Sequence, residues 1–275
     1  MMMFLVWLSI NKFACQYDLI PFYTTMSQSK GYQRFNNRLD YFLTDCETSE
    51  AFYINKEEIK GNGSYIFKGV SKPKFNKLAN RSNTEGSRKI VVSHIRSTIL
   101  ISFIKELYEE VSEYLRYILS QGAKNGVDSL RLVGDLKLSF KANEILEKNT
   151  YDEIIEMIIS SIFQSLENER STIGLLAKVN NKLDLGVNEN LINEALPYLE
   201  LRHVFVHSDG KPNKDFMSKY PFFKKNKKGR VEIDLILVRT AFDKVNALLY
   251  AYDQSMINKH LIEAAELFLT PTISD

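Results

Sequence analysis

Across residues 90–121, apolar side chains recur at Val92, Ile95, Ile99, Phe103, Leu107, Val111, Tyr114 and Ile118. Steps of three and four keep those positions on one face of an α-helix, so the pattern predicts an amphipathic helix of about eight turns, closed by Gly122. A helix that long with one apolar face has to be covered by other helices. The rest of the chain supplies them. Phe35, Leu39, Phe42 and Leu43 repeat the period within residues 30–45, ahead of an irregular stretch around Gly61, Asn62 and Gly63. Thr150 can cap a helix, and Glu153 three residues on completes a capping box before Ile154, Ile155, Ile158, Ile162 and Leu166. Another helix follows the turn at Asp184, Leu185 and Gly186 and spans residues 189–207, with Pro197 kinking it or starting its second part. The last long helix spans residues 237–268. Leucines alternating at Leu130, Leu132, Leu136 and Leu138 predict one extended stretch, for which no partner strand lies nearby. The expected fold class is therefore all-α, a helical bundle of four to five helices with a small N-terminal appendage.

Residues 71–88 are polar, with Pro73, serines and Gly86, and are expected to separate that appendage from the bundle. The expected organisation is an apolar extension over 1–25, a small region and polar linker over 26–88, a helical domain over 89–269 and a tail over 270–275. Residues 1–10 are nearly all apolar, yet they fall short of the roughly 20 residues that span a bilayer. Lys12 follows the apolar run, whereas a signal peptide carries its positive charge in front. Three readings stay open: an extension upstream of an initiator at Met26, a weak membrane anchor, or a small packed helix. No stable membrane insertion is expected.

With 44% hydrophobic and 25% charged residues in 275, the chain is neither disordered nor fibrous. Its 36 basic and 34 acidic residues leave a net charge of +2, which excludes nucleic-acid binding through overall charge. Any such footprint has to be local. Two cysteines, Cys15 and Cys46, are too few for a disulfide framework and lack metal-ligand spacing, so a reducing cytoplasmic location is expected.

The local concentration of chemistry is Arg202-His203-Val204-Phe205-Val206-His207, at the end of the apolar helix of residues 189–207, with Ser208-Asp209-Gly210 as its exit. A guanidinium grips phosphate through fixed donors, and an imidazole moves protons near neutral pH. On a helix, His203 and His207 lie about 40° apart in projection and Arg202 about 140° from His207. The groups can converge through the long arginine side chain in a cleft at the helix end, or through a second copy of the helix in a twofold dimer. Spacing alone is weak evidence, because an arginine and a histidine at a helix C-terminus also complement its dipole. His203 and His207 at i and i+4 have zinc-ligand spacing as well, but no glutamate stands between them as in HExxH.

The run from Glu200 to Gly210, preceded by two helices and followed by a long one, resembles the HEPN superfamily of all-α RNA-cleaving domains. That motif is an arginine, usually a polar neighbour, then a histidine four to six residues beyond the arginine; Arg202, His203 and His207 fill the places in order. The resemblance covers residues 89–269. It implies a metal-independent endoribonuclease without cofactor, of the toxin or anti-phage kind, acting on RNA as a homodimer, with an antitoxin protein as a possible partner. Some members of the superfamily are non-catalytic binding modules. Under this reading Arg202 holds phosphate, His207 transfers the proton and His203 orients or assists, while Glu200 is either solvated or sets the protonation of an imidazole.

Downstream, Lys211, Lys214, Lys219, Lys224, Lys225, Lys227, Lys228 and Arg230 face one acid, Asp215, and are interleaved with Phe216, Tyr220, Phe222 and Phe223. Cations that track a backbone and rings that stack on bases suit single-stranded RNA, with Lys211, Lys214, Lys224, Lys225, Lys227, Lys228 and Arg230 as the expected contacts. A solvated loop whose aromatics pack on the bundle is the competing reading. Asn62-Gly63-Ser64 matches a glycosylation acceptor, which a cytoplasmic chain does not use.

Overall fold

The Ser29 hydroxyl accepts the Tyr32 backbone N–H and so caps the first helix, α1 (Lys30–Ile54). A computed structural model describes residues 27–58, 84–168 and 171–268. Among them α1 is followed by α2 (Glu85–Lys124), α3 (Ser129–Val133), α4 (Ala142–Leu146), α5 (Tyr151–Asn168), α6 (Thr172–Lys182), α7 (Glu189–His207), α8 (Lys214–Lys219) and α9 (Leu235–Asn258). Two short strands, β1 (Gln28–Ser29) and β2 (Leu267–Phe268), pair antiparallel. The fold is all-α, as the periodicity predicts.

Helix α2, 40 residues long, is the axis of the bundle, and α1, α5, α7 and α9 all pack against it. Leu100, Ile104, Leu107, Leu115, Ile118 and Leu119 along it are fully buried, each contributing about 1.5–3 kcal/mol of hydrophobic stabilisation. The helix does not stop at Gly122 but runs to Lys124, ahead of Gly126 in a left-handed conformation. Gly122 serves packing instead. A Cβ there would come within 2.4 Å of the Leu183 side chain just beyond α6.

Other expectations shift in the same way. The capping signal at Thr150 is present in part: its hydroxyl accepts the Glu153 N–H, while the Glu153 carboxylate reaches back to the Asn149 N–H rather than to that of Thr150. The leucine alternation is no strand, because Leu130 and Leu132 lie on the short helix α3 and residues 135–141 form an irregular stretch. Helix α7 continues through a buried Pro197, and α9 ends at Asn258, well before residue 268.

The N-terminal helix is not part of an appendage. Tyr32, Phe35, Leu39 and Cys46 on α1 belong to the same core as α2 and α9, within one compact unit, Gln28–Phe268. Its apolar face finds cover only on helices distant in sequence, and residues 85–88 of the expected linker already belong to α2. A second unit, Met1–Ser27 with Leu269–Asp275, lies outside the described residues except for Ser27. So do the expected extension, the rest of the linker from residue 59 to 83, the tail and the Asn62 sequon. Among the described residues, no helix is long and apolar enough to cross a membrane.

Buried polar groups fasten the unit's two ends. Asp253 on α9, fully buried, accepts the Ser29 N–H at 3.0 Å, the Ser29 hydroxyl, and the Tyr114 hydroxyl at 3.1 Å. Burial raises its carboxyl above the ordinary value against the pull of those three donors.

Candidate functional site

Helix α7 gathers the motif because its inward face, with Leu196, Leu199, Val204 and Phe205, is buried against the bundle. Its last turn is closed by Val204 O, which accepts both the Ser208 and the Gly210 N–H. Gly210 takes φ +76°, a left-handed exit open to glycine, and its Cα hydrogen faces the Phe205 ring. The helix therefore ends at the second histidine.

Arg202, His203 and His207 line one open cleft of about 610 Å³ in the single chain. The helical offset between arginine and histidine is bridged by Leu199, which lies between them on the helix surface and forms part of the lining. The other walls are Tyr108 of α2, Glu167 at the end of α5, and Ser171, Thr172 and Leu175 at the start of α6. Ser171 caps α6 by accepting the Gly174 N–H, so the positive end of that helix dipole faces the same space.

The guanidinium is held in place. Arg202 Nη2 donates to Glu109 Oε1 at 2.9 Å, and the guanidinium lies 4.9 Å from the centre of the Tyr108 ring. Its Nε is buried and has no hydrogen-bond partner among the described residues. Both histidines are exposed, with ring centroids 4.6 Å apart. Burial raises the Tyr108 phenol above its ordinary value, and Glu167 adds to the rise while Arg202 opposes it. The Glu167 carboxyl is raised as well: burial pushes it up, Arg116 and Arg202 pull it down, and Glu109 pushes with burial. A fixed cation, two imidazoles and a carboxylate around an open space can hold an anion and exchange protons with it.

The other sequence candidates stand elsewhere. Glu200 accepts from Lys219 at 2.9 Å and from the Tyr220 hydroxyl at 2.9 Å, so it fixes α8 to α7. Lys211, Lys214, Lys224, Lys225, Lys227 and Lys228 are exposed, but none of them lines the cleft of Arg202. Lys224–Arg230 form a tight turn around Asn226, whose side-chain oxygen accepts from Lys228 and Arg230 N–H at 2.9 and 3.1 Å. Val231 ties that turn to the end of α7 through Gly210 O at 2.8 Å. Arg230, paired with Asp209, lines a second cleft of about 750 Å³ with Arg96 and Lys105. The aromatics divide: Tyr220 and Phe223 are buried in the core, whereas Phe222 is 55% exposed. Packing therefore claims most of the rings expected to stack on bases.

Glu167, Tyr108, Ser171 and Thr172 had no place in the sequence reading. Each comes from an element brought to α7 by packing alone, and none carries a local motif. The nearest signal is the Thr150 cap that starts α5, which fixes where that helix runs but not what its far end faces. Among the described residues, no group of three or more histidine, cysteine, aspartate or glutamate side chains could hold a metal ion. Comparisons with family models, with curated proteins and with solved structures return no match.

Proposed function

We propose that this chain is a metal-independent endoribonuclease of the HEPN kind, a toxin or anti-phage effector acting on cytoplasmic RNA. The observation that carries the reading is the convergence of Arg202, His203 and His207 on one open cleft. Arg202 holds the non-bridging oxygens of the scissile phosphate. Its Nη2 is already fixed by Glu109 and its Nε is buried, so Nη1 meets the ligand. The 2′-oxygen attacks phosphorus, the bond to the 5′-oxygen breaks, and His207 carries the proton exchange with His203 beside it. The products are a 2′,3′-cyclic phosphate and a 5′-hydroxyl. Exposed lysines around the end of α7 attract the strand, and homodimerisation and restraint by an antitoxin protein belong to the same proposal.

Purified protein in the presence of a chelator should cut RNA to 2′,3′-cyclic phosphate ends, and His207→Ala should cut at least a hundredfold more slowly with an unchanged far-UV spectrum. A wild type that leaves RNA intact, or a variant as active as wild type, defeats the nuclease reading. One observation favours a second reading: Arg202 is already paired with Glu109 and stacked on Tyr108, an arrangement that also suits a catalytically silent RNA- or protein-binding module. That reading predicts binding without cleavage.

A further inference from the structure

Transesterification of RNA needs two proton transfers at opposite ends of one line. The attacking 2′-oxygen and the departing 5′-oxygen are apical on phosphorus, so the group that takes a proton and the group that gives one approach from opposite sides. Within one chain, His203 and His207 stand on the same side of that line. They project from successive turns of one helix face with ring centroids 4.6 Å apart, and both reach the phosphate from the α7 wall.

The remaining ionisable groups on the cleft narrow the choice. Arg202 keeps its proton. The half-buried Tyr108 phenol on the cleft wall keeps its proton too and is a donor rather than an acceptor. Glu109 spends an oxygen on Arg202 and does not line the cleft. Glu167 is the carboxylate that lines it among the described residues, and it comes from the wall formed by the end of α5 and the start of α6. The charged groups facing it are Arg116 and Glu109 of α2 and Arg202 of α7, and the Ser112 hydroxyl of α2 opposes the rise of its carboxyl.

We propose that Glu167 takes the 2′-hydroxyl proton, with His207 delivering a proton to the departing 5′-oxygen. This assignment rests on the nuclease reading above and adds its missing partner. The 2′-O–H bond breaks to the Glu167 carboxylate, the new P–O2′ bond forms, the P–O5′ bond breaks, and the imidazolium proton closes the 5′-hydroxyl. Glu167 leaves the step protonated and His207 neutral, and solvent reverses both. The elevated carboxyl makes Glu167 a stronger base than a glutamate at its ordinary value.

The experiment is single-turnover cleavage of a short RNA with chelator present, using wild type, Glu167→Gln, Glu167→Asp and His207→Ala, each checked for an unchanged thermal midpoint. Glu167→Gln should lower the rate roughly 10²–10⁴-fold and erase the acid limb of the pH–rate profile. Binding of the 2′-deoxy analogue should not weaken. Glu167→Asp should be slowed less and keep that limb. A substrate whose leaving 5′-oxygen is replaced by sulfur needs no proton donor, so it should restore His207→Ala and leave Glu167→Gln slow. A glutamine variant within threefold of wild type, a retained acid limb, or rescue of Glu167→Gln by the sulfur substrate overturns the assignment while leaving the nuclease intact. A wild type that does not cleave at all overturns both.

Discussion

Replacing Arg202 with alanine separates a structural arginine from a functional one, because the two roles predict magnitudes that do not overlap. Among the described residues the side chain makes one ion pair, to Glu109, with the two side chains 29% and 55% exposed. Pairs of that exposure are worth about 0.2–1 kcal/mol. Its contact with the Tyr108 ring adds about 0.5–1 kcal/mol at a partly exposed site. The truncation should therefore cost roughly 1–2 kcal/mol, which for a unit of this size is a fall in thermal midpoint of about 2–8 °C. At a site where the guanidinium balances charge on a phosphorane, the same change should lower kcat/KM by roughly 10²–10³ or more. The assay pairs calorimetric unfolding with chelated cleavage of a fluorophore-quencher RNA. A folded Arg202→Ala protein with the small stability loss and wild-type cleavage would refute the phosphate-holding role. A midpoint lower by far more than 8 °C would show the arginine to be a structural support of the α2–α7 contact.

Four further outcomes follow from the same geometry. Charge reversal at Lys224, Lys225, Lys227 and Lys228 should weaken RNA binding and flatten its salt dependence, read from a titration across salt concentrations; unchanged binding removes that exposed turn from the interface. Glu109→Gln should release the guanidinium and tighten binding of a 2′-deoxy oligonucleotide, whereas a loss of binding would mean that the carboxylate is needed to position Arg202. Asp253→Ala strands the Ser29 N–H and the Tyr114 hydroxyl in the interior and should cost about 3–5 kcal/mol by chemical denaturation. Because burial raises Asp253, the stability linked to its proton is fully present below the unfolded aspartate value and is lost as pH rises through the raised native value, so Asp253→Asn should be flatter than wild type across that window.

Long periodic segments were legible in the sequence because their signal is local. Helix α2 declares itself through Phe103, Leu107, Val111, Tyr114 and Ile118, and α5 through Thr150 and its isoleucines. Short elements were not. Two leucines on one turn of α3 and two more in the stretch that follows produce the same alternation as a strand, and only burial separates them. The placement of α1 was hidden because Phe35 and Leu39 are covered by helices far along the chain. For the site, the α7 wall could be read from Arg202, His203 and His207. The facing wall could not, since Glu167 and Tyr108 acquire meaning only when α5 and α2 converge beside α7.

The pairing of β1 with β2 sets Gln28 directly opposite Phe268. A domain whose two extremities meet is, topologically, nearly a ring, and a ring can be cut elsewhere. A short peptide bridge across that seam, with a new opening in the largely exposed stretch 135–141, would leave every wall of the Arg202 cleft on an uninterrupted helix or its first turn. The seam thus makes the order in which the helices are synthesised separable from the arrangement they reach.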